Sequence, residues 1–284
     1  MRPLALPAAV LVAAAAALVP LLADAPAARP AGLTQRVPWT TSRVAGSPEP
    51  PPPYQLSRVF PKVAFAEPLE LTPVPGRRAW LVAERGGKVF TFDADPAAEK
   101  KLVLDVGRTV YGLVAHPEFA KNGYLFASSI TKPEGADGSR VSRFTVDPKT
   151  MVGDPKSEVV ILTWPSGGHN GGCLRFGPDG MLYLSTGDGS GIADGLKTGQ
   201  DLSDLLGAVL RVDVDRPAPG KQYGIPADNP FVSTPGARPE NYAYGIRQCW
   251  KVGFDPATGD LWAGEVGQDL WESVYRIEKG GNYG

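Results

Sequence analysis

Cysteine and histidine are scarce in this 284-residue chain, with two of each: Cys173 and Cys249, His116 and His169. Two cysteines far apart exclude a disulfide-dense small fold and the usual four-cysteine zinc site. Two histidines exclude any centre that needs three. An excess of one charge is missing too. With 29 Lys and Arg against 30 Asp and Glu the formal net charge is −1, so there is no basic face for phosphates and no nucleic-acid partner is expected. No Gly-x-Ser-x-Gly elbow is present, and Gly191–Thr198 lacks the glycine that a phosphate-binding loop needs before Lys197. What is abundant is turn-forming residues: 34 Gly and 29 Pro make about 22% of the chain, against roughly 12% on average. Such punctuation argues against a helix bundle and for a loop-rich, all-β domain.

The first residues read as an address and not as fold. Arg2 is followed by a 19-residue apolar run, Leu4 to Leu22, and then by small residues at Ala23, Ala25, Ala27 and Ala28. This is the order of a secretory signal peptide over residues 1–28, which implies a periplasmic or secreted protein. The run is also long enough for an uncleaved membrane anchor, against which Pro7, Pro20 and the weak hydrophobicity of alanine count. Residues 29–53 end in a proline-rich stretch with too little apolar surface to offset its ordering entropy, and read as a linker. Residues 54–284 hold 32 of the 34 glycines and are ample for one large core.

Within that body four segments repeat a turn followed by a short apolar strand: Arg78–Ala83, Asn122–Ala127, Asp179–Leu184 and Gly259–Ala263. Aligning Leu81, Leu125, Leu182 and Leu261 gives spacings of 44, 57 and 79 residues, irregular but bounded below by one four-stranded propeller blade. Further strands are expected at Gly87–Phe92 and Val209–Val214. Helix is expected only as a turn or two over Asp201–Leu206. A β-sandwich is the rival architecture, and four matching units favour the propeller.

The sharpest local feature is Ser166–Phe176, where four glycines flank His169 and Asn170, so the backbone bends tightly and the imidazole stands free of bulky neighbours. A histidine so placed can act as a general base or simply hold a turn, and both readings stay open. His116, before Pro117, reads as packing. Gly245–Trp250 offers a guanidinium at Arg247 for a carboxylate or a developing negative charge, or for stacking between blades. Gly187–Asp194 resembles a calcium loop, but the twelfth position from Asp188 is Gly199, which rejects an EF-hand.

Five ordered blocks, Gly168–Asp188, Leu206–Asp213, Ile225–Phe231, Tyr244–Arg247 running on to Glu265–Glu272, and Lys279–Gly284, resemble the glucose/sorbosone dehydrogenase family over roughly residues 65 to 284. The resemblance implies a six-bladed β-propeller that binds pyrroloquinoline quinone (PQQ) on a calcium ion. The implied activity is oxidation of an aldose sugar at C1, with electrons passed to an external acceptor such as a cytochrome or quinone. It places His169 as the base, Arg247 as the residue that stabilises negative charge on the cofactor, Gln248 where the family usually has Asn, and the carbonyls of Gly267 and Gln268 as calcium ligands. Gly168 stands where glucose-specific members have an aspartate that orients the imidazole, and no amide residue occurs near Gly107–Thr109 to touch the cofactor. In the family further blades follow the last block, and residues 54–284 at about 45 per blade make five blades or fewer, so a propeller incomplete at its C-terminus is expected. Two alternatives stay open: an extracellular propeller that binds a protein or carbohydrate partner without catalysis, and a scaffold beside an electron-transfer partner. Cys173 and Cys249 are expected as two buried free thiols in preference to a disulfide.

Overall fold

The computed structural model describes residues 55–284; the expected signal peptide and the linker at residues 29–53 lie outside the described residues. Four antiparallel sheets follow one another along the chain, each a meander whose strands pair in sequence order. The first holds β1 (Pro68–Pro73), β2 (Ala79–Glu84), β3 (Lys88–Asp93) and β4 (Lys101–Asp105). The second holds β5 (Val110–Ala115), β6 (Tyr124–Ile130), β7 (Gly135–Asp147) and β8 (Val152–Ser166), with the single turn α1 (Phe119–Asn122) between β5 and β6. β9 (Leu174–Phe176), β10 (Leu182–Ser185), β11 (Ala208–Val212) and β12 (Asn241–Tyr244) make the third, and β13 (Cys249–Phe254), β14 (Leu261–Glu265) and β15 (Ser273–Ile277) the fourth.

The four turn-strand units of the sequence fall on β2, β6, β10 and β14, the second strand of every sheet, and their aligned leucines are all buried. The turn before three of these strands ends in a glycine at positive φ: Gly123 at 64°, Gly180 at 78° and Gly259 at 77°. At Gly123 a Cβ would also overlap the Val146 carbonyl, so glycine is required there on two counts. The uneven spacing has a plain cause. Long strands β7 and β8 lengthen the second sheet, and the loops on either side of β11 lengthen the third.

Side-chain alternation decides between propeller and sandwich. In the third sheet Leu182, Leu184 and Leu210 pack with Phe126 and Trp164 of the second, whereas Tyr183 and Val209 pack with Val252, Leu261 and Ala263 of the fourth. A sheet buried on both faces by its neighbours in sequence belongs to a stack of blades, where a two-sheet sandwich would leave one face to solvent. Leu81, Val89, Leu113 and Phe144 fill the gap between the first two sheets. The other face of the first sheet is closed by Phe60, Val63 and Phe65, which pack on Val82 and Phe92.

The helix expected at Asp201–Leu206 does not form; those residues are turns and bends. Asp201 Oδ1 accepts from Ser203 N at 2.8 Å and Asp204 Oδ1 from Leu206 N at 2.8 Å. The Asp204 carboxylate takes the Leu206 amide that a helix would turn to the Leu202 carbonyl, a competition typical of aspartate. His116 is a packing residue, as read: it is buried against Phe126 and Phe176, with Nδ1 accepting from Glu118 N at 3.0 Å and Nε2 3.0 Å from Asp215 Oδ1.

Both cysteines are free and buried, in the core between the third and fourth sheets. Burial pushes the Cys249 thiol up to about 12 and raises that of Cys173 as well. Reaction needs the thiolate, so both groups are expected to resist alkylation in the folded protein and to react fully in denaturant. Mass spectrometry after alkylation without reductant checks this; an unlabelled denatured protein two mass units lighter would show a disulfide instead.

Candidate functional site

Loops at one end of the sheets bring together residues that the sequence scatters over 100 positions. The β8–β9 loop carries His169. Its turn is closed by Asn170, whose Oδ1 accepts from Gly167 N at 2.9 Å and whose Nδ2 donates to Gly167 O at 2.6 Å. The glycines here serve the chain's own packing: a Cβ at Gly167 would overlap the Gly189 carbonyl, and His169 N donates to Gly189 O at 3.0 Å. That contact lays the loop after β10 alongside the histidine.

Asp188 arrives on that second loop. Its Oδ1 lies 2.6 Å from His169 Nδ1, and its side chain is only 3% exposed. Because a carboxylate can only accept, Nδ1 carries the proton and Nε2 is left as the acceptor. Burial pushes the Asp188 carboxyl above its ordinary value, against the hydrogen bond from His169 and the positive charge of Arg247. Thr198 Oγ1 donates to the Asp188 carbonyl at 2.7 Å and steadies the loop. The orienting carboxylate that Gly168 does not supply thus comes from a residue 19 positions after His169. Its signal in the sequence was the Gly187-Asp188-Gly189 turn directly after a strand.

Arg247, between β12 and β13, reaches His169 from the other side: Nη2 stands 3.1 Å from Nε2, and Nη1 donates to Val266 O at 2.9 Å. Its backbone N–H donates to Glu265 Oε1 at 2.7 Å, and its buried Nε has no partner among the described residues. Gln248 Oε1 accepts from Gly171 N at 3.1 Å, and its carbonyl accepts from Val266 N at 3.0 Å, so Gln248 braces the histidine loop against the loop after β14. Gly267 sits where a Cβ would overlap the Trp271 carbonyl. Among the described residues neither the Gly267 nor the Gln268 carbonyl accepts a hydrogen bond. All five expected site residues, His169, Arg247, Gln248, Gly267 and Gln268, line one open cleft of about 540 Å³, together with Trp250, Asp269 and Glu272.

No group of three or more His, Cys, Asp or Glu side chains among the described residues is placed to hold a metal. A cation in this cleft would have to take backbone oxygens, and the two free carbonyls beside Asp269 are the hard donors that calcium prefers. An anionic cofactor would meet Arg247, whose orphaned Nε is a donor lacking an acceptor. The donor set therefore fits both groups.

The chain belongs to the glucose/sorbosone dehydrogenase family, whose family model matches residues 65–284. Among solved structures it is similar to the PQQ-bound form of aldose sugar dehydrogenase from Streptomyces coelicolor, at 30% identity and a TM-score of 0.64, covering 81% of this chain and 64% of that one. Among curated proteins it is 34% identical over 221 residues to HIPL2 protein of Arabidopsis thaliana, covering 61% of this chain and 32% of the relative. It is also 35% identical over 207 residues to Hedgehog-interacting protein of Homo sapiens, covering 66% and 30%. The chain spans about a third of the length of these two relatives.

Proposed function

We propose that this protein oxidises an aldose sugar at its C1 hydroxyl, using PQQ held with calcium in the cleft. The observation that carries the reading is the chain Asp188–His169–Arg247 at the head of a cleft that also holds the free carbonyls of Gly267 and Gln268. When bound, PQQ would supply the hydride acceptor. The protein's own part is acid–base and electrostatic. His169 Nε2 takes the proton of the C1 hydroxyl, and Asp188 holds the ring in the tautomer that leaves Nε2 able to do so and stabilises the imidazolium that results. Arg247 must turn part of its guanidinium from Nε2 toward negative charge developing in the cleft, releasing the Nη2 that now faces His169. The Gly267 and Gln268 carbonyls would hold calcium, and Gln248 keeps their loop and the histidine loop in register.

Export through the leader at residues 1–28, electron transfer to an external acceptor and a six-bladed ring belong to the same reading. For the ring, the support is the face of β14 and β15 turned away from the third sheet, where Trp262 and Val274 stay exposed as in a sheet that packs against another. A partner-binding propeller is the second reading. It is favoured by the similarity to Hedgehog-interacting protein and by Leu270 and Trp271, exposed on the loop beside the cleft.

Titration with PQQ separates the two. Cofactor absorbance should change on binding when calcium is present and stay unchanged in a chelator. Failure to bind with or without the metal removes the redox reading and leaves the partner-binding one.

A further inference from the structure

Asparagine followed by glycine occurs twice in the chain, at Asn122–Gly123 and Asn170–Gly171, and the second pair directly follows His169. Asparagine is a thermolabile residue, and before glycine, which puts no side chain in the way, it is most open to attack by its own main chain. In that reaction the Gly171 nitrogen loses its proton and bonds to the Asn170 Cγ, while Nδ2 takes up a proton and leaves as ammonia. Water then opens the cyclic imide to aspartate or isoaspartate.

Neither half of the second pair can change without cost to its turn. Gly171 has a φ of 63°, and a Cβ there would lie 2.7 Å from the Ser185 carbonyl oxygen. Asn170 uses both ends of its amide: Oδ1 accepts from Gly167 N at 2.9 Å and from Ser139 Oγ at 3.4 Å, while Nδ2 donates to Gly167 O at 2.6 Å. A carboxylate in its place only accepts, so it would face the Gly167 carbonyl with no proton between them. The loop that holds His169 is thus built on a reactive pair whose product it does not tolerate.

The two pairs differ in what holds the attacking nitrogen. Gly123 N donates to Phe119 O at 2.8 Å, inside its own turn. Gly171 N donates to Gln248 Oε1 at 3.1 Å, a side-chain oxygen 77 residues away. While that bond lasts the nitrogen keeps its proton and is not free to turn to Cγ. The amides on either side, of His169 and Gly172, are anchored on Gly189 O and Ser185 O at 3.0 and 2.7 Å, so Gln248 is the lock that a single substitution can remove.

We propose that Asn170–Gly171 is a deamidation site held shut by Gln248, whose side-chain oxygen keeps the Gly171 nitrogen from attacking. The proposal holds whichever ligand the cleft takes. Loss of the lock turns residue 170 into an acid, removes the Nδ2 clamp on Gly167 and, in the isoaspartate form, adds a methylene to the main chain next to His169.

Peptide mapping by mass spectrometry, on the full chain after incubation in mildly alkaline buffer, tests it. The denatured chain should deamidate at both pairs and sets the reference rate. Gln248→Met keeps roughly the length of the side chain and removes the acceptor. In this variant, when folded, deamidation at Asn170 should rise about three- to tenfold over the wild type, the worth of one hydrogen bond, with Asn122 unchanged. No rise at Asn170, or an equal rise at Asn122, overturns the proposal. If Gln248→Met does not fold by circular dichroism, hydrogen exchange in the wild type decides, because exchange and attack both begin with loss of the Gly171 amide proton. The neighbouring Gly168 N has no acceptor among the described residues. The Gly171 amide should exchange at least about tenfold more slowly than that of Gly168. Equal exchange would mean that Gln248 holds no lock, and overturns the proposal.

Discussion

His169→Ala is expected to lower the rate of sugar oxidation by roughly 10²- to 10⁴-fold while leaving PQQ affinity close to that of the parent. The size follows from removing a positioned base whose tautomer is set by a nearly inaccessible carboxylate 2.6 Å away. Cofactor affinity should survive because Arg247 is also anchored by Val266 O and by Glu265, and the Gly267 and Gln268 carbonyls do not touch the imidazole. Asp188→Asn should share most of the loss, since an amide can hold the ring in the wrong tautomer without disturbing the loop. Steady-state kinetics in an active parent, beside a PQQ titration of each variant, provides the check. An unchanged rate in His169→Ala removes its assignment as base; a matching loss of folding would make it a structural turn residue.

The sequence exposed what depends on local pattern and concealed what depends on distant pairing. Leu81, Leu125, Leu182 and Leu261 could be aligned because each second strand follows its own turn, and three of those turns need a left-handed glycine. His169, Arg247 and the 267–268 pair could be placed because their loops carry short motifs. Asp188 is not legible as a partner of His169, because its local sequence resembles only a calcium loop. Nothing local shows that Gly167 admits the Gly189 carbonyl and so carries an aspartate onto a histidine 19 residues earlier. Asp201–Leu206 differs in the opposite direction: a turn or two of helix is expected there, but Asp204 takes the Leu206 amide. Gln248 shows a third limit. Its place in a motif implies a cofactor contact, and it lines the cleft, but the motif gives no sign that its Oε1 also holds Gly171.

The second large effect is expected outside the cleft's own lining, at Glu70. Its carboxylate is 3% exposed, and it accepts from Arg175 Nη2 at 2.9 Å and from Lys251 Nζ at 2.7 Å. Lys251 Nζ also lies 3.4 Å from Tyr111 O. Glu70, Tyr111, Arg175 and Lys251 belong to β1, β5, β9 and β13, so the carboxylate ties together the first strands of three sheets and Lys251 reaches that of the fourth through Tyr111 O. Glu70→Ala leaves two cations facing each other with that charge gone, and breaking a buried pair in this way costs about 3 kcal/mol or more. Urea unfolding should show a midpoint lowered accordingly with little change in slope. Replacing the whole cluster, as Glu70→Met with Arg175→Met and Lys251→Met, should recover part of the loss, because the penalty comes from uncompensated charge. Strict additivity of the single changes would mean that the three side chains do not act as a unit. Function should follow stability here. Lys251 lies in β13 four residues after Arg247, so loosening Glu70 should also weaken PQQ binding, although no atom of the cluster lines the cleft. Cofactor affinity unchanged in Glu70→Ala would show that Gln248 and Glu265 hold the head of β13 without help from the Glu70 cluster.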